Sequence, residues 1–379
     1  MTISTPGPAD PYLSIILFSR NDDYAGGIVP RLQSSLDTLF DQLQRHAIPS
    51  EIILVEWNPP VDRPALHEAL QWPDSGGCCT IRLITVPGEV HARFDHSHVR
   101  PTQSGAANNV GIRRARGAFI MTKASDTFYS EAVMEELSKG ALVKDRIYRA
   151  ERCDTDADAV DGVLAAKSSA ERLAILERTV IYRNERLAID PNVAGDLPIL
   201  HTNASGDFQL LHRDYWAALR GYKETSDVIS YAVDAHLSYA AHALGVKETL
   251  FPDACCVYKP THSHMVRTRG FKEEKRLFQR LAESLPSLME RVVMRLFRMA
   301  TGYHPSERNR VLIRGVPQPA FYDLVMIWKR LVAGEHPPWF NGLDWGHADE
   351  SFEERTVVVA AWDDPSRFPI APWPERAQP

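Results

Sequence analysis

Short apolar runs alternate with amphipathic stretches along the first third of the chain. The runs at 12–18, 51–55 and 81–86 are nearly continuous, which is typical of strands buried on both faces of a parallel sheet. Between the first two, apolar residues recur at helical spacing from 29 to 46 and predict an amphipathic helix. Strands that alternate with helices predict an α/β fold with a mostly parallel sheet flanked by helices.

The stretch from Ser104 to Asp126 joins a predicted helix, a turn and a buried strand. Small residues such as Gly111 would let the helix pack closely on a sheet, and Gly117 is expected to end it by taking a positive φ. Residues 118–122 have the length and apolarity of a buried strand. Asp126 follows that strand, where an open parallel sheet binds its ligands. The stretch therefore predicts a carboxylate presented to a nucleotide or a metal ion.

Polar side chains also follow the first two predicted strands. Ser19, Arg20 and Asn21 come after the first strand, and Glu56 comes after the second. The carboxyl ends of parallel strands share one edge, so these residues and Asp126 are expected to line one crevice. No G-x-G-x-x-G motif follows the first strand, which disfavours a nicotinamide-dependent dehydrogenase.

Composition limits the broad class of protein. A chain with 44% hydrophobic and 24% charged residues is expected to fold rather than to be disordered. Its net charge of −6 argues against general nucleic-acid binding. The five cysteines lack zinc-ligand spacing, which predicts thiols in a reducing, cytoplasmic compartment. We find neither a signal-peptide pattern nor an apolar run long enough to span a bilayer, so a soluble or peripheral protein is expected.

The order of residues from 107 to 120 resembles the helix-and-strand segment of family 2 glycosyltransferases. In that family the segment leads into an Asp-x-Asp motif, which holds a divalent cation (Mn²⁺ or Mg²⁺) and the sugar nucleotide. Here the motif falls on 124–126, with Ala124 in place of the first acid. The resemblance implies a GT-A-type, Rossmann-like fold. It also implies that Asn108 and Asp126 bind the nucleotide sugar.

The same resemblance implies roles for the residues at the strand ends. Ser19, Arg20 and Asn21 would hold the nucleotide, and Glu56 would accept a hydrogen bond from its base. The glycine-containing stretch that includes Asp207 would flank the sugar and the acceptor.

Residues 232–245 resemble the helix of that family that begins with a Glu-Asp pair and ends at glycine. By that register Asp234 is the catalytic base, and Val233 stands in place of the preceding glutamate. An acid at a helix start is also a common cap, which is the structural alternative. His236 is a second candidate base, because an imidazole titrates near neutral pH.

Two histidines, His262 and His264, follow a late strand predicted at 254–258. Residues at i and i+2 of an extended segment point the same way. In GT-A enzymes a histidine at this place often completes the metal site. The resemblance therefore implies that His264 or His262 joins Asp126 as a metal ligand. Two surface histidines without a ligand role are the alternative.

Three further regions carry less specific patterns. The loop at 87–104 contains His91, His96 and His98 and is interpreted as an active-site flap or as a metal or phosphate site. The basic, amphipathic region after His264 fits contact with an anionic membrane or packing on the catalytic domain. The aromatic stretch 339–349 fits sugar stacking or packing.

Together with these patterns, the resemblance implies a GT-A catalytic domain over 1–264, with a helical insertion at about 155–190, and a helical C-terminal extension over 265–379. The expected activity is hexosyl transfer from a nucleoside-diphosphate sugar to a hydroxyl of a glycan or lipid-linked acceptor, with inversion, in polysaccharide or glycan assembly. The expected location is the cytoplasm, with peripheral contact at the inner face of the cell membrane left open.

Two other functions compete with this prediction. The missing acids at 124 and 233 fit a non-catalytic nucleotide-sugar-binding protein of the same fold. A nucleotidyltransferase is less well supported, because Asn-Asp-Asp-Tyr follows the first strand where a glycine-rich, basic loop would be expected.

Overall fold

A computed structural model describes residues 10–94, 97–99, 101–184, 198–202, 205–224, 233–260, 312–313, 316–317 and 328–361. Its strands are β1 (Leu13–Ser19), β2 (Ser50–Trp57), β3 (Cys79–Val86), β4 (Phe119–Thr122), β5 (Phe128–Tyr129), β6 (Arg146–Arg149), β7 (Glu151–Thr155), β8 (Val180–Asn184), β9 (Gln209–His212), β10 (Lys247–Leu250), β11 (Cys256–Pro260), β12 (Leu312–Ile313), β13 (Val316–Pro317) and β14 (Glu353–Val358). Its α-helices are α1 (Val29–Arg45), α2 (Leu66–Ala69), α3 (Gly88–His91), α4 (Ser104–Arg113), α5 (Glu131–Ser138), α6 (Ala159–Ala165), α7 (Ser169–Arg178), α8 (Arg213–Leu219) and α9 (Val233–Ala243). Residues 328–332 are also helical.

The central sheet has the strand order β10-β6-β9-β4-β1-β2-β3-β14. Strands β4, β1, β2 and β3 run parallel to one another, and β6 and β10 form a second parallel pair. Strands β9 and β14 are antiparallel to their neighbours. Helices cover both faces: α1 packs in one apolar cluster, and α4, α8 and α9 pack in the other. The predicted α/β fold with a mostly parallel sheet is confirmed, and it is consistent with a GT-A-like architecture.

Strand β1 shows why its sequence is continuously apolar. Ile15 and Leu17 belong to the cluster that contains α1, whereas Ile16 belongs to the cluster that contains α4. Successive side chains of a strand point to opposite faces, so a strand covered on both sides needs apolar residues at every position.

Gly111 and Gly117 allow the chain to pack closely against β1. A Cβ on Gly111 would lie 2.5 Å from Ile16 Cγ2, so the helix can approach the sheet only without a side chain here. The prediction that Gly117 ends α4 with a positive φ is wrong: α4 ends at Arg113, and the φ of Gly117 is not in the left-handed region. Gly117 instead donates its N–H to Ser14 Oγ at 2.7 Å, and a Cβ would lie 2.6 Å from Ser14 N.

Gly111→Ala is expected to lower the free energy of unfolding by about 1 to 3 kcal/mol, because the added methyl group overpacks the contact with Ile16. Gly162→Ala in α6 is the matched control, since the nearest atoms to its Cβ are methyl groups of Ile175 at 3.6 Å. The control should be neutral or more stable by up to about 1 kcal/mol. Denaturant unfolding of both variants checks the prediction, and equal stabilities would contradict it.

A smaller sheet, of order β5-β11-β7-β8, receives its edge strand β8 from the region of the predicted insertion. Helices α6 and α7 lie in the predicted insertion, but the helical prediction for this region is wrong at residues 180–184. Val180–Asn184 forms β8, which pairs antiparallel with β7. The segment Val-Ile-Tyr is rich in β-branched and aromatic residues, and these favour a strand.

The C-terminal part of the chain contributes to the central sheet. Strand β14 pairs antiparallel with β3 and forms an edge of that sheet. Residues 328–332 lie in the predicted helical extension, whereas the basic amphipathic stretch from 265 to 311 lies outside the described residues. Within the described residues, the structure has no helix of the length and apolarity that a membrane span requires.

A buried ion pair supports this edge of the sheet. Glu51 accepts hydrogen bonds from Arg82 Nη1 at 2.7 Å, from Ser14 Oγ at 2.6 Å and from the Arg116 N–H at 2.5 Å. Arg82 Nε also donates to Glu354 on β14 at 2.7 Å. One arginine therefore links the central strands to the C-terminal strand.

Candidate active site

The carboxyl ends of β2, β1 and β4 lie side by side. Glu56 is in register with Ser19 across the β1–β2 pair. The loop after β4 is fastened to the end of β1, because Ser125 Oγ donates to the Phe18 carbonyl at 2.7 Å. Asp126 follows Ser125 directly, so it lies at the same edge of the sheet as Glu56 and Ser19.

Glu56 is fully buried at the end of β2. Its Oε1 accepts a hydrogen bond from the Leu66 N–H at 2.8 Å, at the start of α2. Its Oε2 is buried and has no hydrogen-bond partner among the residues that the structure describes. Burial raises the pKa of this carboxyl group. Glu56 therefore keeps an acceptor oxygen that a ligand N–H could satisfy.

The end of β1 and the residues after it lie beside Glu56. Ser19 and Asn21 are buried, and Asn21 Nδ2 donates to the Pro64 carbonyl at 2.8 Å. This bond holds the loop after β2 against the end of β1. Arg20 lies 3.9 Å from Asp22 and keeps 18% of its side chain exposed.

Asp126 is buried and lies between two cationic side chains. Its Oδ1 pairs with Lys259 Nζ from β11, and its Oδ2 lies 3.4 Å from Arg31 Nε of α1. Arg31 also donates to the carbonyls of Tyr24 at 2.7 Å and Gly27 at 2.8 Å. The guanidinium group thus fastens the turn after β1 to the acid.

A third cation, Lys123, is buried directly after β4. Its ammonium group donates to Ser35 Oγ at 2.5 Å and to the carbonyls of Ala124 at 2.9 Å and Thr127 at 2.6 Å. Burial lowers its pKa to about 7, although the nearby Asp126 opposes this effect. For Lys259, burial also acts to lower the pKa, but the carboxylates of Asp126 and other neighbours outweigh it and the pKa is raised.

The divalent cation implied by the resemblance would need the carboxylate of Asp126. Both oxygens of that carboxylate face cations of the protein. In the described part of the chain, no three His, Cys, Asp or Glu side chains are grouped so that they could hold a metal ion. His262 and His264 lie outside the described residues. The described residues therefore do not fit a divalent cation at Asp126.

Asp207 and Asp234 are brought together by the turn Ser205–Asp207. Gly206 donates its N–H to Asp234 Oδ2 at 2.6 Å, in the first turn of α9. Asp207, the next residue, accepts from Arg152 Nη1 at 3.0 Å. Its charge also raises the pKa of Lys259, which places Asp207 near the cations around Asp126.

A chain of hydrogen bonds connects the end of β4 to Asp234. Thr122 Oγ1 and the Tyr222 hydroxyl are 2.7 Å apart, and the same hydroxyl donates to Gln209 Oε1 at 2.7 Å. Gln209 Nε2 donates to the Asp234 carbonyl at 2.8 Å. The start of α9 is thereby held in a fixed position relative to the loop that carries Asp126.

His236, the second candidate base, is 2% exposed and lies beside Phe340, with 5.8 Å between the ring centroids. Burial lowers its pKa to about 3. An imidazole with this pKa is neutral and a weak proton acceptor near pH 7. His236 is thus less accessible than the half-buried Asp234, and which of the two acts as the base stays a prediction.

Asn108 and Asn109 have different surroundings in α4. Asn108 is half-buried, and its Oδ1 has no hydrogen-bond partner in the described ranges. Asn109 is fully buried; it donates to the Tyr222 carbonyl and accepts from the Tyr222 N–H, both at 2.7 Å. Asn109 is therefore a packing residue, and nucleotide-sugar binding by Asn108 stays a prediction.

The predicted flap contains a structural histidine. His91 is buried; its Nδ1 accepts from Trp57 Nε1 at 3.0 Å, so its Nε2 carries the proton and donates to the Ser97 carbonyl at 3.1 Å. His98 is exposed, and His96 lies outside the described residues.

The C-terminal aromatic stretch packs against α4 and the turn after α8. Trp345 is 8% exposed, and the Arg113 guanidinium lies 4.9 Å from its ring centroid. Asn341 Nδ2 donates to the carbonyls of Arg220 at 2.7 Å and Tyr222 at 2.5 Å. These contacts favour the packing interpretation over sugar stacking.

Sequence reasoning missed Arg31, Lys123 and Lys259. Lys123 carries a signal in the sequence, since it stands between the apolar run of β4 and Asp126. Lys259 carries none, because its contact with Asp126 depends on where β11 pairs in the smaller sheet.

No protein-family model matches the chain, and no curated protein does. Among solved structures it is similar to TarS from S. aureus. The TarS 1-349 structure gives a TM-score of 0.39 at 10% identity over 65% of this chain. Its complex with UDP gives 0.40 at 11% identity over 65%, and its complex with UDP-GlcNAc gives 0.41 at 10% identity over 67%. The chain covers 59% to 60% of these TarS 1-349 chains. Similarity of this degree does not establish an activity for this chain.

Proposed function

We propose that this protein is a glycosyltransferase that moves a sugar from a nucleoside diphosphate to an acceptor hydroxyl, with inversion at the anomeric carbon. One observation carries the proposal: along one edge of the sheet, a buried carboxylate with an unsatisfied oxygen at Glu56 is followed by the cation cluster at Asp126. A nucleobase could donate a hydrogen bond to Glu56, and a diphosphate could bind the cations at Asp126.

The spacing of the strands supports this assignment. Strand β1 lies between β2 and β4, so the ends of β2 and β4 are about 10 Å apart, two interstrand distances. That separation suits a nucleoside that lies across the end of β1. A donor N–H of the base would satisfy Glu56 Oε2, which otherwise carries the cost of a buried, unpaired acceptor.

Transfer needs a proton acceptor and a positive charge for the leaving group. Asp234 would take the proton of the acceptor hydroxyl while the hydroxyl oxygen forms a bond to the anomeric carbon. The bond from that carbon to the diphosphate breaks at the same time, and its electron pair leaves with the diphosphate. Cationic side chains near Asp126 would stabilise the charge that develops there.

The acceptor in this proposal is a glycan or a lipid-linked hydroxyl, and the pathway is polysaccharide or glycan assembly. Such an enzyme would work in the cytoplasm. The basic stretch between 267 and 280 would provide peripheral contact with the anionic inner face of the membrane.

Thermal unfolding with a panel of nucleotide sugars tests the donor. The matching donor should raise the midpoint, since a ligand at 100 times its Kd adds about 2.7 kcal/mol to the stability. Transfer or hydrolysis of that donor would then establish an enzyme. Binding without either reaction would indicate a non-catalytic nucleotide-sugar-binding protein, which Ala124 and Val233 favour. A panel without any stabilising nucleotide would contradict both.

Glu56→Gln is expected to weaken binding of the matching nucleoside diphosphate about 10-fold, because an amide N–H₂ would face the N–H of the base. Binding of inorganic pyrophosphate should not change. Glu68→Gln is the control, an exposed glutamate of α2. Calorimetric titration measures each affinity, and equal nucleotide affinity in both variants would remove Glu56 from the base site.

A further inference from the structure

We propose that Lys259, held by Asp126, takes the place of the divalent cation, so that this protein binds the donor diphosphate without a metal ion. This inference rests on the proposed function and names the group that recognises the diphosphate. It starts from one contact: Lys259 Nζ pairs with Asp126 Oδ1, at the acid on which a metal would be expected.

The position of Lys259 is set by two strand pairings. Strand β11 pairs with β5, where Tyr258 lies opposite Phe128. Phe128 is two residues after Asp126 in the chain. Strand β11 also pairs with β7, where Lys259 lies opposite Asp154. The backbone of Lys259 is therefore fixed within a sheet, so the position of its ammonium group is set by a strand and not by a surface loop. A preorganised charge of this kind binds an anion without the cost of ordering a flexible side chain.

Lys259 is also the most accessible of the three cations around the acid. Its side chain is 17% exposed, compared with 7% for Arg31, and Lys123 as a whole residue is 2% exposed. Arg31 and Lys123 are occupied by carbonyl groups of the surrounding loops. Lys259 is therefore the cation that a diphosphate entering the crevice would meet.

The charges of the cluster favour an anion over a cation. Two cationic side chains, Arg31 and Lys259, face the single carboxylate of Asp126. A divalent ion at Asp126 would be repelled by Lys259 and Arg31 at short range. A diphosphate would instead gain charge-assisted hydrogen bonds from the ammonium group. Metal binding and the Lys259 pair therefore exclude each other.

Calorimetric titration of the full-length protein with the nucleoside diphosphate selected by the donor panel tests this. The panel of probes is UDP, dTDP, GDP, CDP and ADP. The unmodified protein should bind with the same affinity in EDTA, Mn²⁺ and Mg²⁺. Affinity that is lost in EDTA and restored by Mn²⁺ would overturn the inference but leave the proposed function standing. If none of the five nucleotides binds under any condition, both fail.

Variants at Lys259 provide a second readout. Lys259→Gln should weaken binding about 10- to 100-fold, the loss expected for a charge-assisted hydrogen bond, and Lys259→Arg should keep most of the affinity. Lys247→Gln, an exposed lysine at the start of β10, is the matched control. Thermal unfolding verifies that each variant is folded. A folded Lys259→Gln variant with unchanged affinity would show that Lys259 does not bind the diphosphate.

Discussion

Asp234→Asn is expected to lower the rate of sugar transfer about 100- to 10,000-fold, the range expected for loss of a general base. The amide oxygen can still accept the Gly206 N–H, a bond of 2.6 Å in the structure, so the turn at 205–207 should keep its position. The amide cannot take a proton. Donor binding should therefore stay nearly unchanged while turnover is lost. Steady-state kinetics and a binding titration on the same variant measure the two effects separately.

Asp161→Asn is the matched control, because Asp161 is an exposed acid in the first turn of α6. It should transfer at the unmodified rate. An Asp234→Asn variant that transfers at full rate would leave Asp234 with only its structural role as the acceptor of the Gly206 N–H.

Glu51→Ala is expected to lower the free energy of unfolding by about 3 to 5 kcal/mol, the cost of breaking a buried ion pair, because Arg82 would keep only the partly exposed Glu354. The side chains of Glu51 and Arg82 are 1% and 4% exposed, so water cannot replace the lost carboxylate easily. Ser14 Oγ and the Arg116 N–H would lose the same acceptor. Denaturant unfolding measures the loss.

Glu354→Ala removes the other carboxylate of the same arginine and serves as the comparison. Glu354 keeps 33% of its side chain exposed, so its loss should cost about 1 kcal/mol or less. If the two variants had the same free energy of unfolding, burial would not make the Glu51–Arg82 pair contribute more to stability than the Arg82–Glu354 pair.

Local patterns predicted the elements that form the edge of the crevice. The helix expected at 29–46 is α1, Val29–Arg45, and the strand expected at 118–122 is β4, Phe119–Thr122. Both follow from periodicity, because each element lies against the core over its full length. Because the pattern located the end of β4, it also placed Asp126 just after that strand.

Other features depended on contacts between distant parts of the chain. The partners of Asp126 come from α1 and β11, and the contact with Lys259 spans 133 positions of sequence. No local spacing reports such a pairing. The burial of His236 likewise depends on Phe340 from the C-terminal stretch. The strand at 180–184 was missed because the helical pattern before it was extended past Thr179.

The pairing of β14 with β3 has a consequence for biosynthesis. Residues 79–86 leave the ribosome long before residues 353–358 do, so β3 has an open edge during most of translation. An open edge of this kind is a template for pairing with other chains. The nascent chain would thus be prone to self-association at β3 until β14 arrives and covers that edge.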